Sequence, residues 1–220
     1  MDFCMRQLRN PTRNAIRRIV EPRLATFGFV RSKEKTFFRV RGPLLDQIHV
    51  GFGGWGSSYI YVYYSVHLVE DPVTSQGTYH VGGRLTFDWS ASDHDVCEKS
   101  TLDMLDKLES MALPFFEAVT LPLYEGAWWR WGGAAAFAAL ARNDIENARI
   151  YLVDSIHGRA PLIYSSGYPG WRSNEEPYAR KEAHIKALKE ALDAIDSGKV
   201  EAWRRKVRAM KLESLGIVES

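Results

Sequence analysis

The sequence lacks the features that mark several large classes of protein. Its two cysteines, Cys4 and Cys97, make no framework of disulfide bridges. No apolar run approaches the roughly 18 residues that a membrane-spanning helix needs, and the N-terminus has no apolar segment of the kind found in signal peptides. These absences predict a protein of the reducing cytoplasm with no membrane partner.

An excess of charge of one sign is also lacking. The net charge is +2 over 220 residues, which is too small to argue for a nucleic-acid or membrane partner. Basic residues cluster near both ends, around Arg17 and Arg205, in runs that are typical of solvated helix faces. Nucleic-acid binding through these runs is a disfavoured alternative. Hydrophobic and charged fractions of 45% and 25% indicate an ordinary globular chain.

Catalytic motifs are missing as well. The chain contains no nucleophile elbow, no H-E-x-x-H string and no Walker A string. The run Gly51 to Gly56 matches G-x-G-x-x-G, but a tyrosine-rich segment follows it instead of a helix, so it predicts a hairpin turn. His49, His67 and His80 could converge on a metal but belong to no close-spaced ligand motif. Asp93 to Glu98 is rich in ligand types, but it precedes a predicted helix start, where the helix dipole favours acidic residues. We therefore predict no catalytic residue, no metal and no cofactor.

What the sequence does contain is alternation at a period of two. Thr36 to Arg41, Leu45 to Phe52 and Ser58 to Leu68 are typical of three consecutive strands. In the third strand one row is apolar and the other is aromatic and polar. The apolar row is Ile60, Val62, Tyr64, Val66 and Leu68; the other is Tyr59, Tyr61, Tyr63, Ser65 and His67. The pattern predicts an antiparallel sheet with two chemically different faces.

Pairing the apolar rows of the three strands places their polar residues on the opposite face of the sheet. The ligand-binding candidates on that face are Arg39, Arg41, His49, Tyr59, Tyr61, Tyr63 and His67. Tyrosines at alternate positions can stack a planar ligand or nucleobase, and the basic side chains can hold an anion. In the alternative interpretation the C-terminal helices cover this face, and the tyrosines are core residues with satisfied hydroxyls.

The flanking segments complete a predicted α+β fold. A helix begins at Asn10-Pro11, is interrupted at Pro22 and ends at Gly28. Further strands are expected near Tyr79 to Val81 and Leu85 to Trp89, and a capping box at Ser100 to Asp103 predicts a helix start.

The predicted architecture is an N-terminal helix, an antiparallel sheet of about four to five strands and a helical C-terminal half packed on the sheet. We expect one compact unit over residues 1–220, with the helix and sheet in 1–125 and the helical region in 126–220. A second aromatic cluster is a candidate surface for a partner, or else it packs between the two regions. It comprises Trp128, Trp129, Trp131 and Trp171.

The N-terminal part resembles a known bacterial family. Gly28-Phe29-Val30-Arg31, Thr36-Phe37-Phe38-Arg39 and Trp55 between two strands, together with the first helix, are similar to domain-of-unknown-function family 4304. The resemblance covers roughly residues 10 to 70. The family favours a glutamine near the end of the second strand, where this chain has Gly51-Phe52-Gly53. The resemblance implies a bacterial cytosolic α+β protein and no established activity.

These patterns support two functional hypotheses. The first is a non-enzymatic binding or interaction module that takes an unknown protein or small ligand. The alternative is an enzyme, or a nucleotide or small-ligand binder, that uses the Tyr/His/Arg face of the sheet with His49, His67 and the tyrosines around the ligand.

Overall fold

The computed structural model describes residues 11–33, 35–52, 59–72, 81–90, 92, 94–128, 132–157 and 176–217. The chain divides into two compact units. The first unit consists of Met1–Val66, Val81–Val119 and Leu215–Ile217, and the second of His67–His80, Thr120–Ser214 and Val218–Ser220. The expected single compact body, divided near residue 125, stays a prediction.

The first unit opens with a helical segment that changes its hydrogen bonding midway. Helix α1 spans Pro11–Ala15, a π-helical turn spans Ile16–Val20, and helix α2 spans Glu21–Ala25. The π turn comes directly before Pro22, which has no N–H with which to continue an α-helical ladder. Gly28 then adopts a φ of +80°, so the segment ends in the left-handed conformation that glycine favours.

Five strands follow in a simple meander. They are β1 (Val30–Lys33), β2 (Thr36–Arg41), β3 (Leu44–Phe52), β4 (Tyr59–Leu68) and β5 (Val81–Ser90), and their order in the sheet is their order in the chain. The predicted antiparallel sheet is confirmed. Strand β1 was not expected, and the two strands expected near Val81 and Leu85 form one continuous strand.

The register between β2 and β3 corrects one prediction about the faces of the sheet. Arg39 pairs with Asp46 and Phe37 with Ile48, so both arginines of β2 share a face with Ile48 and not with Gln47 or His49. The prediction failed because Phe37 and Phe38 are both buried, at 0% and 2% exposure, which leaves β2 without a single apolar row to align. Arg39 and Arg41 therefore lie away from the tyrosines.

Asp46 explains why the two arginines turn to that face. Its carboxylate is fully buried, and the Arg41 Nε and Nη2 donate to its two oxygens at 2.7 and 2.9 Å. Arg39 Nε donates to the same carboxylate at 2.9 Å. A buried carboxylate needs such charged donors because its desolvation is otherwise too costly. We term this side of the sheet the helix face.

Helix α3 (His94–Ala118) packs on the helix face. The ring centroid of Phe115 lies 5.1 Å from that of Tyr64, and Phe116 lies 5.7 Å from Phe29. The predicted start at Ser100 is wrong, because the helix begins at His94. The side chains of the supposed capping box make other contacts: the Thr101 hydroxyl donates to the Cys97 carbonyl at 2.7 Å and Asp103 accepts from the Trp89 indole at 2.7 Å.

The second unit is helical, as predicted for the C-terminal half. Helices α4 (Leu121–Trp128), α5 (Gly132–Ala141), α6 (Ile145–Ile156), α7 (Glu176–Asp196) and α8 (Val200–Leu215) form it. Residues 133–140 of α5 are all buried, which the alanine-rich sequence permits because neighbouring helices can approach closely. Among the helices that the structure describes, none has the combined length and hydropathy to cross a membrane.

A buried ion pair also stabilises the second unit. Arg204 Nε donates to a Glu70 carboxylate oxygen at 2.6 Å, and both side chains are largely buried. Close by in sequence, Lys211 Nζ donates to the Asp71 carbonyl at 3.5 Å. Burial lowers the pKa of the Lys211 amine, while the charge of Asp71 opposes that shift.

We expect Asp46→Asn to destabilise the first unit strongly. The change removes the charge that two largely buried guanidinium groups require, and loss of one partner from such a cluster costs about 3 kcal/mol. Urea denaturation gives the free energy of unfolding. The matched control is Glu109→Gln, which removes the partner of the half-exposed Arg23 and should cost no more than about 1 kcal/mol. Equal losses in the two variants would contradict the role given to Asp46.

A second prediction concerns acid stability and His184 in α7. Burial lowers the pKa of His184 to about 4 from the ordinary 6.5. Because the unfolded chain takes up this proton first, stability should be complete above pH 6.5 and fall by up to about 3 kcal/mol as the pH drops towards 4. His184→Leu should remove that part of the pH dependence, measured as unfolding free energy against pH. Replacement of the exposed His157 by glutamine is the control, and identical slopes for wild type and His184→Leu would refute the assignment.

Candidate ligand-binding site

The side of the sheet opposite the helix face carries the predicted tyrosines. A β-carbon placed on Gly51 would lie 2.0 Å from the Tyr61 ring, so the two residues share this side. Strand pairing adds Arg84 beside Tyr63, and His49 lies two residues before Gly51 on β3. We term the group Tyr59, Tyr61, Tyr63, Arg84 and His49 the tyrosine face; all five residues belong to the first unit.

Only part of this side of the sheet is open to solvent. Tyr59 and Tyr63 are 42% and 40% exposed, whereas Ser65 and His67 further along β4 are buried. The interpretation in which this face is open therefore holds for the Tyr59–Tyr63 part of the strand. His67 does not join the open part, while His49 and the three tyrosines do.

The three rings form a continuous aromatic surface capped by a cation. Ring centroids of Tyr59 and Tyr61 are 5.8 Å apart, and those of Tyr61 and Tyr63 are 5.3 Å apart. The Arg84 guanidinium carbon lies 4.7 Å from the Tyr61 centroid and 5.2 Å from that of Tyr63, within the range of cation–π attraction. Burial raises the pKa of Tyr61, so the central ring carries a neutral hydroxyl at physiological pH.

Arg84 differs from the other arginines of the sheet. Arg31 pairs with Glu21, and Arg39 and Arg41 pair with Asp46. Among the side chains that the structure describes, no carboxylate pairs with Arg84, whose contacts are the two tyrosine rings. Its guanidinium stacks on both rings, and a guanidinium is a group well suited to binding an anion.

His49 contributes a neutral imidazole at the edge of the tyrosine face. Its Nδ1 lies 3.0 Å from the Thr36 hydroxyl oxygen. Burial, and secondarily the charge of Lys35, lowers the pKa of His49, so the ring is uncharged at neutral pH. Thr36 is only 3% exposed, which leaves its hydroxyl out of reach of a substrate. This hydroxyl–imidazole pair therefore has a structural role.

Several predicted candidates fall outside this description. No cluster of three or more metal-ligating side chains occurs among the residues that the structure describes. His80, Asp93, the glycine-rich segment 53–56 and three of the four tryptophans (Trp129, Trp131 and Trp171) lie outside the described residues. Trp128 is the last residue of α4, and its side chain also lies outside them.

Sequence reasoning missed Arg84 and Gly51. Arg84 follows two glycines, where the strand was expected to start only at Leu85, and its contact with Tyr61 depends on the register of β4 and β5. Gly51 was placed correctly in the strand Leu45 to Phe52, but no local pattern shows that it leaves the space in which the Tyr61 ring lies. The detectable signal was Arg84 alternating with Leu85 and Thr86 in a β pattern.

Comparisons with known proteins identified no matching family model, no matching curated protein and no matching solved structure. The resemblance to domain-of-unknown-function family 4304 thus stays a prediction.

We expect Gly51→Ala to displace the Tyr61 ring. The added methyl carbon would lie 2.0 Å from ring carbons, far inside van der Waals contact, so the ring must move or the strand must shift. Overpacking of this kind costs about 1–3 kcal/mol. Near-ultraviolet circular dichroism reports the ring environment, and urea denaturation reports the stability.

The control for that substitution is Gly126→Ala in α4, where no atom lies within 4 Å of the added carbon. Since alanine favours helices, this variant should be neutral or more stable by up to about 1 kcal/mol. An unchanged tyrosine spectrum in Gly51→Ala would contradict the packing of Tyr61 over Gly51.

Proposed function

We propose that this protein is a non-enzymatic binding module, and that the tyrosine face binds a ligand containing a planar ring and a negative charge. The observation that carries the proposal is the stacked Arg84, held over two tyrosine rings with no described carboxylate beside it. Exposed rings of Tyr59 and Tyr63 offer the surface on which a planar group can stack. A nucleotide combines both chemical features.

The chemistry of the tyrosine face favours binding over catalysis. Its described side chains are three phenols, one guanidinium and one neutral imidazole, and the only neighbouring hydroxyl bonded to that imidazole belongs to the buried Thr36. A nucleophile must reach its substrate, and Thr36 does not. The cation and the rings can orient an anion without transforming it.

A protein partner is the second candidate ligand. Tyrosine and arginine are the residue types that dominate protein–protein hot spots, and the two outer tyrosines are 42% and 40% exposed. The same surface could therefore receive an acidic and aromatic segment of another protein. We also propose that the protein acts in the bacterial cytoplasm.

Isothermal titration with adenosine, ribose 5-phosphate and adenosine 5′-monophosphate tests the proposal. The monophosphate should bind at least about tenfold more tightly than either half, because it engages the rings and Arg84 together. Arg84→Ala should weaken its binding by about tenfold to a hundredfold, since a charge-assisted hydrogen bond contributes about 1.5–3 kcal/mol. Adenosine binding should change little in that variant.

Arg31→Ala is the matched control, because Arg31 is a sheet arginine that pairs with Glu21. It should leave all three affinities unchanged. Failure of all three compounds to bind, or equal effects of the two arginine substitutions, would exclude the tyrosine face as a nucleotide site.

A further inference from the structure

The spacing of the exposed groups on the tyrosine face defines its ligand more closely. Tyr59 and Tyr63 flank Tyr61 on one strand, and their ring centroids lie 5.8 and 5.3 Å from that of Tyr61, so the two outer centroids are at most about 11 Å apart. Both outer rings are exposed, whereas the central Tyr61 ring lies against Gly51 and under Arg84. The open surface is thus two stacking platforms on β4, with the Arg84 cation of β5 over the Tyr61 and Tyr63 rings.

We infer that the ligand is a short segment of single-stranded nucleic acid; this inference rests on the proposed function. Consecutive nucleotides present planar bases joined by phosphates, and the tyrosine face offers exposed rings with one cation beside them. A mononucleotide carries one base and can occupy only one platform. A segment of about two or three nucleotides can place a base on Tyr59 and another on Tyr63 while a phosphate meets Arg84.

The surroundings of the tyrosine face set the length and strand character of this ligand. Ser65 is buried directly beyond Tyr63, so the open platform ends there and accommodates only a few nucleotides. Bases inside a duplex are stacked on one another and cannot lie on the tyrosine rings. The flat sheet surface therefore selects a single strand.

Charge on the tyrosine face is modest and of one sign among its described side chains. Arg84 contributes a cation, and Lys35 lies close enough to His49 to lower the pKa of that imidazole, after the larger effect of burial. One or two neutralised phosphates give a slope of log affinity against log salt of about −0.7 to −1.4. Such a shallow dependence agrees with the small net charge of +2.

The test is a length series of oligouridylates from one to six nucleotides, measured by isothermal titration with the full chain. Affinity should rise at least about tenfold between one and three nucleotides and level off beyond that length. The slope against salt should be shallow, and a duplex of the same sequence should bind at least about tenfold more weakly. Oligothymidylates of equal length show whether the 2′-hydroxyl contributes.

Variants then assign the binding to the two platforms. Tyr59→Ala and Tyr63→Ala should each weaken the binding of the uridine trinucleotide by about fivefold or more. Tyr59→Phe, which keeps the ring, should bind it with the wild-type affinity. Tyr151→Ala, in α6 of the other unit, is the matched tyrosine control and should have no effect. Thermal midpoints establish that each variant is folded, and Tyr59→Phe keeps the test valid if an alanine variant unfolds.

The outcomes separate the two proposals. This inference would be overturned if the mononucleotide and the trinucleotide bound with equal affinity, or if a duplex bound as tightly as the single strand. Either result would leave the proposed nucleotide site in place. Absence of binding at every length would overturn both, and the tyrosine face would then remain a surface for a protein partner.

Discussion

The buried carboxylate of Asp46 constrains the arrangement of the sheet in the first unit. Its two oxygens accept hydrogen bonds from Arg39 and Arg41, at distances of 2.7–2.9 Å. An uncompensated carboxylate in that position would be prohibitively costly, so the cross-strand pairing of β2 and β3 must bring both guanidinium groups to it. The register that satisfies Asp46 also aligns Phe37 with Ile48 and sets which side chains point to each face.

The consequence for function is a division of the arginines between the two faces. On the helix face, Arg39 and Arg41 pair with Asp46. The Arg39 guanidinium also lies 5.0 Å from the Phe29 ring and forms an ion pair with Glu117. Arg84, on the other side, is held by aromatic rings instead of carboxylates. The same residue type thus serves stability on one face, and on the other it is the group that we propose to bind an anion.

Structural features that depend on neighbouring residues in the chain could be predicted from the sequence, whereas those that depend on distant residues could not. The alternation in β4 predicted a two-sided strand because period two is a local property, and Ile60, Val62 and Val66 are buried accordingly. The face of Arg39 and Arg41 could not be predicted in the same way, since Phe37 and Phe38 are both apolar and the deciding partner lies on another strand.

Side-chain contacts between distant elements explain the remaining differences. Ser100 and Asp103 have the spacing of a capping box, yet they accept hydrogen bonds from the Ser90 N–H and the Trp89 indole inside a helix that begins at His94. Of the candidate site, the sequence predicted the three tyrosines and His49. Its cation, Arg84, depends on the pairing of β4 with β5, which no local pattern specifies.

The most direct test of this account is an NMR titration that follows the arginine Nε–Hε signals during addition of a uridine trinucleotide. We expect the Arg84 signal and the Tyr59 and Tyr63 ring signals to shift together, while those of Arg39 and Arg41 stay unchanged because Asp46 holds them. Shifts at Arg39 or Arg41 with an unchanged Arg84 would contradict the division of arginines between the two faces, and with it the assignment of the ligand surface.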